Sequence, residues 1–142
     1  LADQMGFLKS FFGKKGNDFL DEVDQYLEIA DLTVNWKDDI SSLSYGQLKR
    51  LEIVRALLSH PKVLLVDEPA AGLNAKELEK SVALMRHAAE KGVGIVLIEH
   101  KMDMIMNVCD HIVVLNFGKM IAHGTPEEVQ SNEAVIEAYL GR

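Results

Sequence analysis

Two short stretches carry the residue types that phosphate chemistry needs. In LSYGQ, Leu43 to Gln47, a serine and a glycine stand at the mouth of a helical pattern. A helix start directs unpaired N–H groups and roughly half a positive charge outward, which makes an anion site before any side chain contributes. Ser44 adds a hydroxyl, and Gly46 has no side chain to hold a phosphate away from the backbone. Ser44 and Gln47 also have the spacing of a capping box, so an ordinary well-capped helix is the plain alternative.

The second stretch is KVLLVDEP, Lys62 to Pro69, an apolar run that ends in two adjacent carboxylates. It reads as a strand buried on both faces, and open α/β sheets place their ligands at the carboxyl ends of such strands. Neighbouring strand residues face opposite sides, so Asp67 and Glu68 must do different work. Asp67 suits a magnesium ion, directly or through water. Glu68, stepping off toward Pro69, suits a general base or a clamp on an attacking water. The bland alternative is a pair of solvated strand-end carboxylates. A further strand end carries IEHKMD, where the His100 imidazole could hydrogen-bond a terminal phosphate or the lytic water. His60, His87, His111, His123 and Cys109 show no ligand spacing, and Met102, Met104 and Met106 read as packing.

The elements that must hold these groups follow from periodicity. Phe19, Leu20, Val23, Leu27 and Ala30 recur at helical spacing behind Asp18, which predicts a capped amphipathic helix over Asp18 to Leu32. Before it, the first seventeen residues read as irregular or marginally helical, and after it lies a polar connection around Trp36. The capping box at Ser44 opens a helix to Ser59, with Leu48, Leu51, Val54 and Leu58 as its apolar stripe. Apolar runs at Gly94 to Glu99 and His111 to Asn116 alternate with helical segments at Ala75 to Glu90 and Met102 to Asn107, the pattern of crossovers in a parallel sheet. Phe117-Gly118 marks a hairpin, and Thr125-Pro126 caps a last helical stretch.

Composition bounds the rest. The 142 residues are 48% hydrophobic and 26% charged, the balance of one compact domain rather than a disordered chain. A formal net charge of −7 offers no general attraction to nucleic acid, so no nucleic-acid partner is expected. Cys109 is the only cysteine, which excludes an internal disulfide and fits a reducing compartment. No apolar run approaches the ~20 residues that cross a bilayer, so any membrane role is expected to come through a partner.

The order and spacing of the motifs resemble the second half of an ATP-binding cassette protein. LSYGQ is similar to the family signature, VLLVDEP to the Walker B strand, AAGLN to the D-loop and IEH to the switch histidine, so the likeness runs from about Asp18 to the end. Within the family, DEPAAGLN, LIEHKMD and the tail GTPEEVQSNEAVIEAYLG look most like the ATPase subunits that energise import of branched-chain or other hydrophobic amino acids. Lipopolysaccharide-export ATPases have a related tail. Non-transport ATPases that share the cassette, and an interaction module without catalysis, are the rivals.

The resemblance implies a P-loop NTPase-like α/β fold: a helical signature subdomain over 1–59 and a mostly parallel partial core over 60–142. It implies ATP and Mg2+, a second cassette clamped head to tail, and membrane permease subunits at the cytoplasmic face. Ser44 and Gly46 would then touch the γ-phosphate held by the partner cassette. With Gln47 of the same motif and Asn74 of the D-loop they form the nucleotide-contacting set. Asp67, Glu68 and His100 would serve the nucleotide of their own cassette. Nothing of the GxxxxGK[ST] type occurs in the sequence, so the chain is expected to be a carboxy-terminal portion, inactive by itself. Tyr45 stands where many members have glycine, and Asn74 where many have aspartate; amino-acid importers commonly show both. In the family's sheet the strand leading into the phosphate loop lies between the strand ending at Glu99 and that over Ile112 to Leu115, so its absence leaves two apolar edges unpaired.

Overall fold

The computed structural model describes residues 14–33, 35 and 39–140. The expectation for the leading segment as far as residue 13, and that for the connection at Trp36, lie outside the described residues. The chain forms two compact units, Leu1–Ile98 and Glu99–Arg142.

The first unit begins with α1, Lys14–Ile29. The helix starts upstream of Asp18, which therefore lies within it and cannot be its cap. At its other end the chain leaves through a left-handed residue: Asp31 has φ 50°, with Leu32 N–H donating to Leu27 O and Asp31 N–H to Glu28 O, both at 2.9 Å. This closing pattern satisfies carbonyls that would otherwise be orphaned, and it ends the helix short of the expected Leu32. A 3-10 turn, Ile40–Ser42, leads to α2, Tyr45–Leu57. Val23, Tyr26 and Leu27 of α1 and Ile53, Val54 and Leu57 of α2 are buried. Arg50 of α2 is 3% exposed and donates from Nε to Ala30 O at 2.8 Å, setting a cation against the negative carboxyl end of α1.

Strand β1, Val63–Asp67, pairs in parallel with β2, Gly94–Ile98, through α3, Ala75–Glu90. Gly92 supplies the left-handed residue after α3, with φ 89°, and Val93 N–H closes back on Ala88 O at 3.1 Å. The expectation that β1 is buried on both faces is corrected. Leu64 and Val66 are buried whereas Val63 is 55% and Leu65 73% exposed, and Val96 and Ile98 of β2 are exposed as well. Leu84, Met85 and Ala88 of α3 are buried in the same unit, and among the described residues only one face of the pair is covered.

The second unit carries α4, Met102–Val108, then β3, Ile112–Asn116, and β4, Lys119–Gly124, an antiparallel hairpin. Phe117 and Gly118 both have positive φ, 46° and 75°, the two-residue turn whose twist matches a right-handed ribbon. Among the described residues the parallel order is thus confined to β1 and β2, while β3 pairs with β4 in a second sheet. Ile112, Val114, Val129 and Val135 form the core, with Met102, Ile105, Met106 and Cys109 packed on it and Met104 buried in the same unit, so all three methionines do serve as filling. Thr125 caps α5, Pro126–Gln130, with Glu128 completing the box; α6, Glu133–Val135, and a π-helical turn, Ile136–Leu140, follow.

Candidate functional site

The mouth of α2 is built by its own sequence. Ser44 is extended, with φ −65° and ψ 161°, and its Oγ accepts from Gln47 N–H at 3.3 Å while Gln47 Oε1 accepts from Ser44 N–H at 2.8 Å. Ser44 and Tyr45 are exposed and Gln47 is half-buried, so the helix start opens to solvent. Gln47 spends its carbonyl oxygen on the cap and keeps its amide NH2 for other partners.

Gly46 behaves differently from the expectation that its bareness clears room for phosphate. It is buried, and a Cβ built there would stand 2.4 Å from Glu77 Oε1. The space beside Gly46 is filled by a side chain of α3. Glu77 comes from the start of α3, where Asn74 Oδ1 accepts from Glu77 N–H and Glu77 Oε2 accepts from Asn74 N–H, each at 3.0 Å. Asn74 is therefore a helix cap at an exposed position, and the Asn-x-x-Glu spacing that signals it was readable in the sequence.

Asp67 is the last residue of β1 and is exposed. With Lys49, Glu52, Leu65, Pro69 and Ser81 it lines an open cavity of about 160 Å³ in the first unit. Glu68 is exposed too, and its N–H donates to Ile98 O at 2.9 Å, extending the β1–β2 ladder by one bond. Its φ of 44° puts a residue with a Cβ in the left-handed region, a conformation that costs energy and persists where its surroundings impose it. Behind it Pro69 and Ala70 are buried, and Ala71 N–H returns to Glu68 O at 3.1 Å.

In the second unit His100 is exposed, and its placement depends on a residue that motif spacing alone did not single out. Glu99 Oε2 accepts from His100 N–H at 2.8 Å and Lys101 N–H at 3.1 Å, and lies 3.6 Å from His100 Nδ1. A carboxylate so placed favours a hydrogen on Nδ1 over one on Nε2.

Magnesium binds through one or two carboxylates together with substrate phosphates and water. Exposed Asp67 at a strand end fits that demand, and among the described residues no group of three or more His, Cys, Asp or Glu is placed to hold a metal by protein alone.

The fold is of the P-loop α/β class to which ATP-binding cassettes belong. The chain belongs to the ATP-binding cassette family: residues 4–71 match the ABC transporter family, and residues 119–142 match the branched-chain amino acid ATP-binding cassette transporter family. It is 42% identical over 131 residues to the high-affinity branched-chain amino acid transport ATP-binding protein BraF of Pseudomonas aeruginosa, covering 92% of this chain and 51% of that one. To the corresponding protein LivG of Escherichia coli strain K12 it is 41% identical over 140 residues, covering 96% and 54%. Among solved structures, a nucleotide-free ATP-binding cassette from an ABC transporter superposes with a TM-score of 0.74 at 30% identity, over 88% of this chain and 51% of that one. The chain spans about half the length of the curated relatives it matches.

Proposed function

We propose that this chain supplies the signature, Walker B, D-loop and switch portions of an ATPase that powers import of branched-chain or other hydrophobic amino acids. In this reading 1–59 is the signature subdomain and 60–142 belongs to the ATPase core. The protein works at the cytoplasmic face of a membrane, paired with a second cassette and with permease subunits. Among the described residues no helix is long and apolar enough to cross the bilayer itself. The observation that carries the reading is the pairing of the strained Glu68 with exposed Asp67 at the end of β1, in a chain 41–42% identical to named amino-acid transport ATPases. The tail match at 119–142 favours amino-acid import over lipopolysaccharide export, whose ATP-binding protein LptB of Escherichia coli is 37% identical over 100 residues.

Each group then has a task. The N–H groups at the α2 mouth and the Ser44 hydroxyl meet the γ-phosphate of an ATP held by the second cassette, where a donor supplied in trans acts on developing negative charge. Asp67 holds magnesium, which when bound neutralises phosphate charge. Glu68 accepts a proton from water as the water oxygen bonds to the γ-phosphorus and the bond to ADP breaks. His100, oriented by Glu99, hydrogen-bonds the phosphate or that water. Without a phosphate-binding loop the chain alone binds ATP weakly and does not turn it over.

The test is ATP hydrolysis by the complete cassette with Glu68→Gln. Turnover falls by about 10²–10⁴ while nucleotide binding persists, the usual worth of a positioned base. Unchanged turnover removes Glu68 from this role, and uptake assays in membranes that show no dependence on branched-chain or similar amino acids remove the transport assignment.

A further inference from the structure

The signature helix and the D-loop are interlocked through two glycines, each filled from the other side. A Cβ built at Gly46 would meet Glu77 Oε1 at 2.4 Å and Glu77 Cδ at 2.6 Å. A Cβ built at Gly72 would meet Cε1 of the Tyr45 ring at 2.9 Å, and Gly72 holds φ at 73°. So the D-loop helix sends a carboxylate into the signature, and the signature sends an aromatic ring onto the D-loop. Neither glycine can take a side chain without pushing its neighbour away. A separation below 3 Å means that the neighbouring side chain must shift before a Cβ can enter.

The two contacts have chemical as well as steric content. The amino ends of α2 and α3 lie side by side and carry partial positive charges that repel. Glu77 sets a carboxylate between them: Oε1 is the atom a Cβ at Gly46 would strike, and Oε2 accepts from Asn74 N–H at 3.0 Å. The Tyr45 ring meanwhile carries the Lys49 ammonium 5.7 Å from its centroid. A cation over the face helps hold that ring although its residue is 54% exposed.

We propose that Tyr45 and Glu77 are positioning residues that join the signature to the D-loop within one chain, so that phosphate arriving at Ser44 moves or stills Asn74 with it. The proposal rests on the reading that phosphate meets the α2 mouth. It predicts that the tyrosine at 45 works through its ring rather than its hydroxyl, and the glutamate at 77 through its acceptor oxygens.

The test is amide hydrogen exchange on the complete cassette protein, with and without ATP, together with steady-state ATPase kinetics. In the wild-type protein ATP slows exchange in 44–48 and 72–78 together. In Tyr45→Ala and in Glu77→Ala the protection at 44–48 persists, but that at 72–78 is lost. Basal exchange at 72–78 rises about fivefold in Glu77→Ala, as expected for the loss of a helix cap. In both alanine variants kcat falls about tenfold with KM for ATP unchanged, the scale of a coupling change, and Tyr45→Phe and Glu77→Gln restore both readouts. Full ATP-dependent protection of 72–78 in the alanine variants overturns the interlock while leaving the phosphate reading intact. Absence of protection at 44–48 in the wild-type protein overturns the phosphate reading and the proposal with it.

Discussion

The amide of Glu68 donates to the carbonyl of Ile98 at 2.9 Å, one step past the last paired residue of β1, and there the backbone turns to φ 44°. The strand pairing thus runs into a residue that geometry penalises. Glycine would sit there without a Cβ clash, so the side chain is retained against a local cost.

Comparing Glu68→Gly with Glu68→Ala isolates that cost, since both lose the carboxylate and only alanine keeps the Cβ. The glycine variant is expected to be more stable by about 1 kcal/mol, at the low end of the left-handed penalty. Denaturant unfolding checks it, and an alanine variant of equal or greater stability would contradict the strain.

Asn74 caps α3 through its Oδ1, with Glu77 N–H at 3.0 Å. Asn74→Ala should lower stability by about 1 kcal/mol, and Asn74→Asp should cost little because the two residues cap comparably. Thermal unfolding of both variants decides it; an alanine variant as stable as the wild type would show that the cap contributes nothing.

Lys80 donates to Asp31 Oδ2, and this bond, together with the ammonium charge, holds the Asp31 carboxyl below its ordinary value. A depressed carboxyl contributes stability that is whole above the unfolded value, about 3.9, and is lost as pH falls through the lower folded one. The gap in Tm between wild type and Lys80→Met is therefore level from pH 7 to about 5 and closes on further acidification. It also shrinks with salt because both side chains are exposed. A gap that widens in acid would refute the pairing.

Burial, and then the neighbouring Asp110 carboxylate, push the Cys109 thiol up. Iodoacetamide should modify it slowly near neutral pH, with a rate midpoint above that of a free cysteine. Asp110→Asn should move the midpoint down without abolishing the shift, because desolvation is the larger cause. An unmoved midpoint would remove Asp110 from the explanation.

What the sequence made legible was local or periodic. The capping box at Ser44, the Thr125 cap, the helix over Ala75–Glu90 and the Phe117-Gly118 turn each depend on residues a few positions apart. The start of α1 is not legible in the pattern, because Asp18 has the chemistry of a cap while the helix runs on upstream of it. The exposed faces of Val63 and Leu65 could not be foreseen, since an apolar run does not say what covers it. Glu77 beside Gly46 is a contact between elements thirty residues apart, which no short pattern encodes. The motif pattern did identify Asp67, Glu68 and His100 as candidates, but the strain at Glu68 and the bracing of His100 by Glu99 needed coordinates.

Phe117 is fully exposed at the tip of the β3–β4 turn. An aromatic residue standing clear on a tight reverse bend is what chymotrypsin-type proteases seek, so brief digestion should nick the Phe117–Gly118 bond early. The nick would divide the ribbon between its strands, making this one bond a built-in reporter of whether the carboxy-terminal unit stays together after its connection is cut.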